Sequence, residues 1–143
     1  MPEENTRIRK GRCLCGAVRF IARGEPRWAA HCHCDSCRRA TSAPITTYAG
    51  YLTDAVEWEG EKLAPYESSP GVERRFCARC GSPMSFSGAK WPDEIHLFAA
   101  SFEEPDSLKP TCHVHVGEKL GWIQLADGLP RYKTTARDGP PLE

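Results

Sequence analysis

A chain of 143 residues has the size of one domain, and its 19 Lys plus Arg balance its 19 Asp plus Glu, so no whole-molecule field gathers nucleic acid or anionic lipid. No stretch nears the ~18 consecutive apolar residues of a membrane span, and residues 1–10 are charged where a secretory signal needs an apolar run; a soluble cytoplasmic protein is expected, with neither nucleic acid nor membrane as partner. Eight cysteines, roughly 6% of the chain, fall short of the ~8–10% of a disulfide scaffold, and seven of them cluster as Cys13/Cys15, Cys32/Cys34/Cys37 and Cys77/Cys80, which in a reducing compartment points to metal.

In chain order, residues 1–10 read as a flexible polar lead to a single domain over 11–134. Between Gly11 and Arg23, Val18, Phe20 and Ala22 alternate with Arg19, Ile21 and Arg23 in the period of a strand. Cys13 and Cys15 share one face of any extended segment there. In His31-Cys32-His33-Cys34-Asp35-Ser36-Cys37-Arg38-Arg39, Cys32 and Cys34 point the same way from a strand end. Cys37 swings back at the start of a short helix over 35–40, which Asp35 or Ser36 caps and Pro44 discourages from continuing. Strand-like runs follow at 45–51, 56–59, 73–76, 84–87, 95–100, 112–116 and 122–125, broken by turn residues such as Ser69-Pro70-Gly71 and Asp127-Gly128. The expected fold is mostly β and mostly antiparallel, and residues 135–143, with Asp138-Gly139-Pro140-Pro141, read as a C-terminal tail.

Cys77-Ala78-Arg79-Cys80-Gly81 has the form of a zinc knuckle, two thiolates on a tight turn followed by a glycine that tolerates its geometry. Zinc prefers four ligands, and Cys13-Leu14-Cys15-Gly16 offers the second pair of a closed structural site. The plainer readings of Cys77 and Cys80 are small buried hydrophobes or a redox pair. The set Cys32, Cys34 and Cys37 supplies three thiolates, the open arrangement that catalytic zinc uses. Cys112, His113, His115, His31 or His33 would close it into a second structural site. His96, between strand neighbours, reads as an ordinary strand residue, and Cys112 as a buried inert thiol. Arg38 and Arg39 would offset the negative charge of three thiolates on one divalent ion, or meet an anionic ligand through the guanidinium fork; a solvated helix face is the alternative. Arg74-Arg75 invites the same two readings.

The combination Cys-x-Cys, Cys-x-Cys-x-x-Cys and Cys-x-x-Cys is far more specific than any one motif. In the stretches GRCLCGAV (11–18), HCHCDSCRR (31–39), RRFCARCGSPM (74–84), residues 95–102 running into Pro105 and Leu108-Lys109-Pro110, and CHVHVGEKLGWIQLADGLPRY (112–132), the chain resembles the glutathione-dependent formaldehyde-activating enzymes, whose domain also occurs in centromere protein V. The resemblance implies a zinc-bound β-tent of small antiparallel sheets with a short helix after the three-cysteine motif. It implies structural zinc at Cys13, Cys15, Cys77 and Cys80 and catalytic zinc at Cys32, Cys34 and Cys37. It further implies glutathione as partner and a carbon–sulfur lyase activity that, in the synthetic direction, joins formaldehyde to glutathione. Arg38, Arg39 and Trp122 are the candidate substrate contacts. No Glu or Asp stands out as a general base, Asp35 being placed to cap the helix. A glutathione carrier without catalysis, or a zinc-stabilised protein-interaction module, would use the same scaffold.

Overall fold

The computed structural model describes residues 7–142. Alternation shapes the first sheet. Strands β1 (Ile8–Arg12) and β2 (Val18–Arg23) pair antiparallel, and β5 (Val56–Gly60) covers the other edge of β2. The period-2 pattern turns Val18, Phe20 and Ala22 inward and Arg19 and Arg23 outward. Phe20 meets Trp58 and Phe102 edge-on, with centroids 5.5 and 5.0 Å away. Gly11 faces that ring so closely that a Cβ there would lie 2.1 Å from it, so β1 closes on the aromatic cluster only with glycine at this position. β1 begins inside the stretch expected to be a flexible lead, because buried Arg9 is held by the Ser107 hydroxyl and by Glu25. Residues 1–6 of that lead lie outside the described residues.

The second sheet has seven strands in the order β10-β3-β4-β9-β8-β7-β6. They are β3 (Trp28–Cys32), β4 (Thr46–Leu52), β6 (Leu63–Ser69), β7 (Val72–Cys77), β8 (Pro83–Gly88), β9 (Glu94–Phe98) and β10 (His113–Val114). Pairing is antiparallel except where β10 joins β3. The fold is mostly β, as expected. β6 escapes the sequence pattern because Pro65 and the Ser68-Ser69 end read as breakers. It lies at the sheet edge, where a missing N–H is tolerated. The run 112–116 shortens to two residues, since His115 takes a left-handed φ of 56° and Val116–Glu118 forms a 3-10 turn. Residues 122–125 form no strand. Lys119 Nζ donates to the carbonyls of Leu120 and Ile123, holding this stretch as a turn.

The two faces of the larger sheet differ. Ala49, Tyr51, Met84 and Leu97 pack with Val18, Phe20 and Phe102 in the main core, which also takes in Cys13 and Cys77. Tyr48 and Phe98 face the other way, onto Cys32 and Cys37, with Trp28 and Phe86 beside them. Each cysteine centre is thereby seated against its own apolar cluster. Helix α1 (Asp35–Thr41) carries Cys37, and Ser42 ends it in a left-handed conformation before Pro44. Its N-cap is Cys34, whose Sγ accepts from the Cys37 N–H at 3.2 Å, and neither Asp35 nor Ser36 serves.

Candidate metal centres

The first centre joins two turns. Cys13 and Cys15 sit in the β1–β2 connection, Cys77 ends β7 and Cys80 lies in the turn that leads to β8, so the first pair occupies a turn and not one face of a strand. Each turn closes with a glycine at positive φ: Gly16 at 81° donates to the Cys13 carbonyl at 3.2 Å, and Gly81 at 80° donates to that of Cys77 at 2.8 Å. Cys13 Sγ lies 3.7 Å from Cys15 Sγ, which lies 3.8 Å from Cys77 Sγ. All four sulfurs fall within 4.8 Å of one another.

Ser82 ties the turns together, its hydroxyl 3.2 Å from Cys80 Sγ while accepting the Leu14 N–H at 3.0 Å. The Val18 N–H donates to Cys13 Sγ at 3.3 Å. The Ser82 hydroxyl and neighbouring backbone N–H groups hold the Cys80 thiol down at about 5. At Cys15 the Ala17 N–H favours the thiolate, but desolvation and three crowding thiols outweigh it and push the group up to about 11. Four thiols so close together cannot all ionise unless a cation shares the space, and a tetrahedral four-sulfur set with N–H donors around it fits zinc.

The second centre gathers Cys32 from the end of β3, Cys34 from the helix cap and Cys37 from the first turn of α1, again with sulfurs within 4.8 Å. Hydrogen bonding from Cys32 and Cys34, helped by the Tyr48 hydroxyl and the charge of Arg74, draws the Cys37 thiol down to about 2. Hydrogen bonding with Cys34 and Cys37, together with burial, drives Cys32 up. Three thiols so close together do not all ionise by themselves, and a divalent ion held among them would let them do so.

Tyr48 OH donates to Cys37 Sγ at 3.2 Å and accepts from Arg74 at 3.5 Å, while Arg74 also approaches that sulfur at 3.8 Å. The guanidinium lies over the Phe86 ring, 5.0 Å from its centroid, and Phe86 stacks on His96. His96 is buried and bonded to Glu94 at 3.1 Å, an ordinary structural residue as expected.

Among the described residues Arg74 is the guanidinium that meets Cys37, while Arg38 and Arg39, expected to offset the charge of the thiolates, are engaged elsewhere. Arg38 donates to the carbonyls of His33 and Glu118, and Arg39 pairs with Asp35 across one helical turn. Trp122 is exposed. Tyr48 was not marked by any motif; its one sequence signal is its place in the strand-like run 45–51.

Among the described residues, none of the groups considered as a fourth ligand joins the three sulfurs. His33 alternates with its cysteine neighbours and points to the far side, 2.9 Å from His113 Nδ1. His31 stacks on His113, and His115 lies 3.9 Å from Glu118. Cys112 is half-buried, with burial pushing its thiol up. A groove of about 600 Å³ bordered by Thr41, Thr46 and Phe98 passes near α1, but none of the three cysteines lines it.

The family model described as "Glutathione-dependent formaldehyde-activating enzyme" matches residues 8–118. The chain belongs to this family. A Halomonas elongata protein provisionally named as a glutathione-dependent formaldehyde-activating enzyme is 30% identical over 127 residues, covering 81% of this chain and 80% of the relative. An uncharacterized lyase of Schizosaccharomyces pombe is 28% identical over 118 residues, with 82% and 85% covered. A crystal structure of a Rhodobacter sphaeroides protein shares the fold with a TM-score of 0.53 at 21% identity, over 86% of this chain and 98% of that one. In this family member seven of the eight cysteines divide into a four-sulfur and a three-sulfur set, each able to hold a metal ion. Among the described residues no helix is long and apolar enough to cross a membrane.

Proposed function

We propose that the protein is a cytoplasmic zinc-dependent carbon–sulfur lyase that makes and breaks the adduct of formaldehyde with glutathione or a related thiol. The observation that carries this reading is the second centre's set of three converging sulfurs, which among the described residues neither Cys112 nor a histidine nitrogen joins. Cys13, Cys15, Cys77 and Cys80 would hold a structural zinc, and Cys32, Cys34 and Cys37 a second zinc with one position free. When bound there, zinc supplies a deprotonated substrate thiol at neutral pH, where a free thiol with a pKa near ~8.5 is mostly protonated.

The chain's own residues do the rest. A site of three cysteine thiolates is electron-rich, and a fourth sulfur adds further negative charge. Arg74 and the Tyr48 hydroxyl disperse that charge from the Cys37 side, with Phe86 fixing the plane of the guanidinium. In the synthetic direction the substrate sulfur's electron pair forms the C–S bond, the carbonyl π pair moves to oxygen, and that oxygen takes a proton from water. In the lyase direction the hydroxyl proton returns to water, the C=O bond re-forms and the C–S pair goes back to sulfur. Tyr48 is engaged on both sides of its oxygen, so its role is to position and polarise Cys37.

Glu118 bonds the Asp35 N–H at the start of α1 and its carbonyl takes Arg38, so the 118–122 loop is held beside the helix that carries Cys37. On that basis we assign Arg39 and Trp122, whose side chains are exposed, to the ends of the tripeptide, and Arg38 to holding the loop. The deciding experiment is the exchange rate between ¹³C-formaldehyde and its glutathione adduct, measured by NMR with zinc-loaded protein and with Cys34→Ser. Acceleration by the wild type that Cys34→Ser abolishes supports the lyase. Glutathione binding without acceleration would make the protein a carrier.

A further inference from the structure

The face of β3 opposite Cys32 and Cys34 carries a second constellation. The parallel pairing of β10 sets His113 directly across from His31, and their rings stack with centroids 4.8 Å apart. Asp127 arrives from the turn that Gly128 makes at a φ of 75°, and its Oδ2 lies 2.8 Å from His113 Nε2. One ring nitrogen from each histidine and one carboxylate oxygen fall within 4.8 Å of one another. We propose that His31, His113 and Asp127 form a third metal centre, separate from both cysteine sets, that takes a divalent transition-metal ion of borderline softness such as zinc.

Three features argue for a built site. Two imidazoles that share one ion at ~2.1 Å hold their centroids roughly 4.5–5.2 Å apart, a range that contains the observed stack. Each donor is then oriented by an outer partner, as metal ligands are. His31 Nδ1 meets the Thr47 hydroxyl at 2.7 Å, His113 Nδ1 meets His33 Nε2 at 2.9 Å, and Asp127 Oδ1 accepts the Leu129 N–H at 3.0 Å. With both Nδ1 atoms engaged, Nε2 is the nitrogen that would ligate in each ring, that of His113 exchanging its bond to Asp127 for the ion. Finally, the set runs from buried His113 to exposed Asp127, so the ion has a route in and an open position toward water. Imidazole with carboxylate suits zinc, nickel or ferrous iron and not the hard alkaline-earth ions.

A hydrogen-bonded relay from Asp127 through His113 to His33, which is fully buried with an unpartnered Nδ1, explains two of these contacts without a cation. It gives His31 no part. Admitting an ion requires the His113–Asp127 pair to open by about 0.5 Å toward tetrahedral ligand spacing.

The test is a Co(II) titration of protein whose cysteine centres are already zinc-loaded. The expected result is one further equivalent bound, with weak visible d–d bands, no thiolate-to-cobalt charge transfer and no zinc released. Asp127→Asn and His31→Ala should each weaken it at least tenfold with zinc content unchanged, and Thr47→Val by about 10–100-fold. Because Asp127 is exposed, Asp127→Asn remains a usable variant if His31→Ala misfolds. No further equivalent, cobalt appearing with a thiolate band, or binding untouched by Asp127→Asn would overturn the third centre and leave the relay.

Discussion

The two cysteine centres are built from the same atoms and placed differently in the chain and the core. The four-sulfur set draws on turns far apart in the chain, with Cys15 and Cys77 separated by 62 positions, and two of its members are sealed in the main core. The three-sulfur set lies within six consecutive residues and a separate small cluster, with a cation and a phenol turned toward one sulfur. A centre that closes a long loop contributes to folding, because loop-closure entropy and metal binding enter the same equilibrium. A centre assembled within one strand end and one helical turn closes almost no loop. Its geometry is free to serve a ligand.

The largest effect that would break this contrast is expected at Cys77. Cys77→Ser should lose soluble folded protein, since structural zinc in small peptides is worth ~10–16 kcal/mol at pH 7, an upper guide for a larger domain. Zinc analysis and thermal unfolding check it, and an unchanged melting temperature with full zinc content would remove the structural assignment. Cys34→Ser should keep the fold and lose adduct processing by more than the ~10–100-fold that outer-shell changes cost. If it unfolds as Cys77→Ser does, the second centre is structural as well.

Between those extremes, Tyr48→Phe and Arg74→Ala should lower turnover by about 10–100-fold while the four-sulfur zinc stays in place, because both act through Cys37. Steady-state exchange measured beside zinc stoichiometry separates this from a folding defect. The smallest effect is expected at Arg39→Ala. Its exposed pair with Asp35 is worth ~0.3–0.5 kcal/mol at most, so the melting temperature should barely move, and any loss of glutathione affinity reports a contact with the ligand.

The cysteine sets were legible because each is written as local spacing, and the glycines after Cys15 and Cys80 mark where a turn needs positive φ. Strands with clean alternation, such as the one burying Val18, Phe20 and Ala22, were legible for the same reason. What failed was non-local. Arg74 reaches Tyr48 and Cys37 across β8 and β9, which separate β7 from β4 in the sheet, and nothing in Arg74-Arg75 says which guanidinium turns inward. Cys34 displaced Asp35 as the helix cap because the chain must bring that sulfur back toward Cys37. The apolar residues near Trp122 imitate a strand, but the Lys119 ammonium binds the carbonyls of Leu120 and Ile123 and holds the stretch as a turn.

The central claim is that the three-cysteine centre receives a sulfur atom. It is tested most directly by calorimetric titration of zinc-loaded protein with glutathione and with the matched tripeptide whose sulfhydryl is replaced by hydroxyl, across a series of pH values. Coordination requires the thiol to lose its proton, so affinity for glutathione should strengthen as pH rises toward the free thiol pKa near ~8.5 and then level off, and the hydroxyl tripeptide should bind far more weakly at every pH. Equal affinity for the two tripeptides with no dependence on pH would contradict the claim and would mean that a protein group already fills the fourth position.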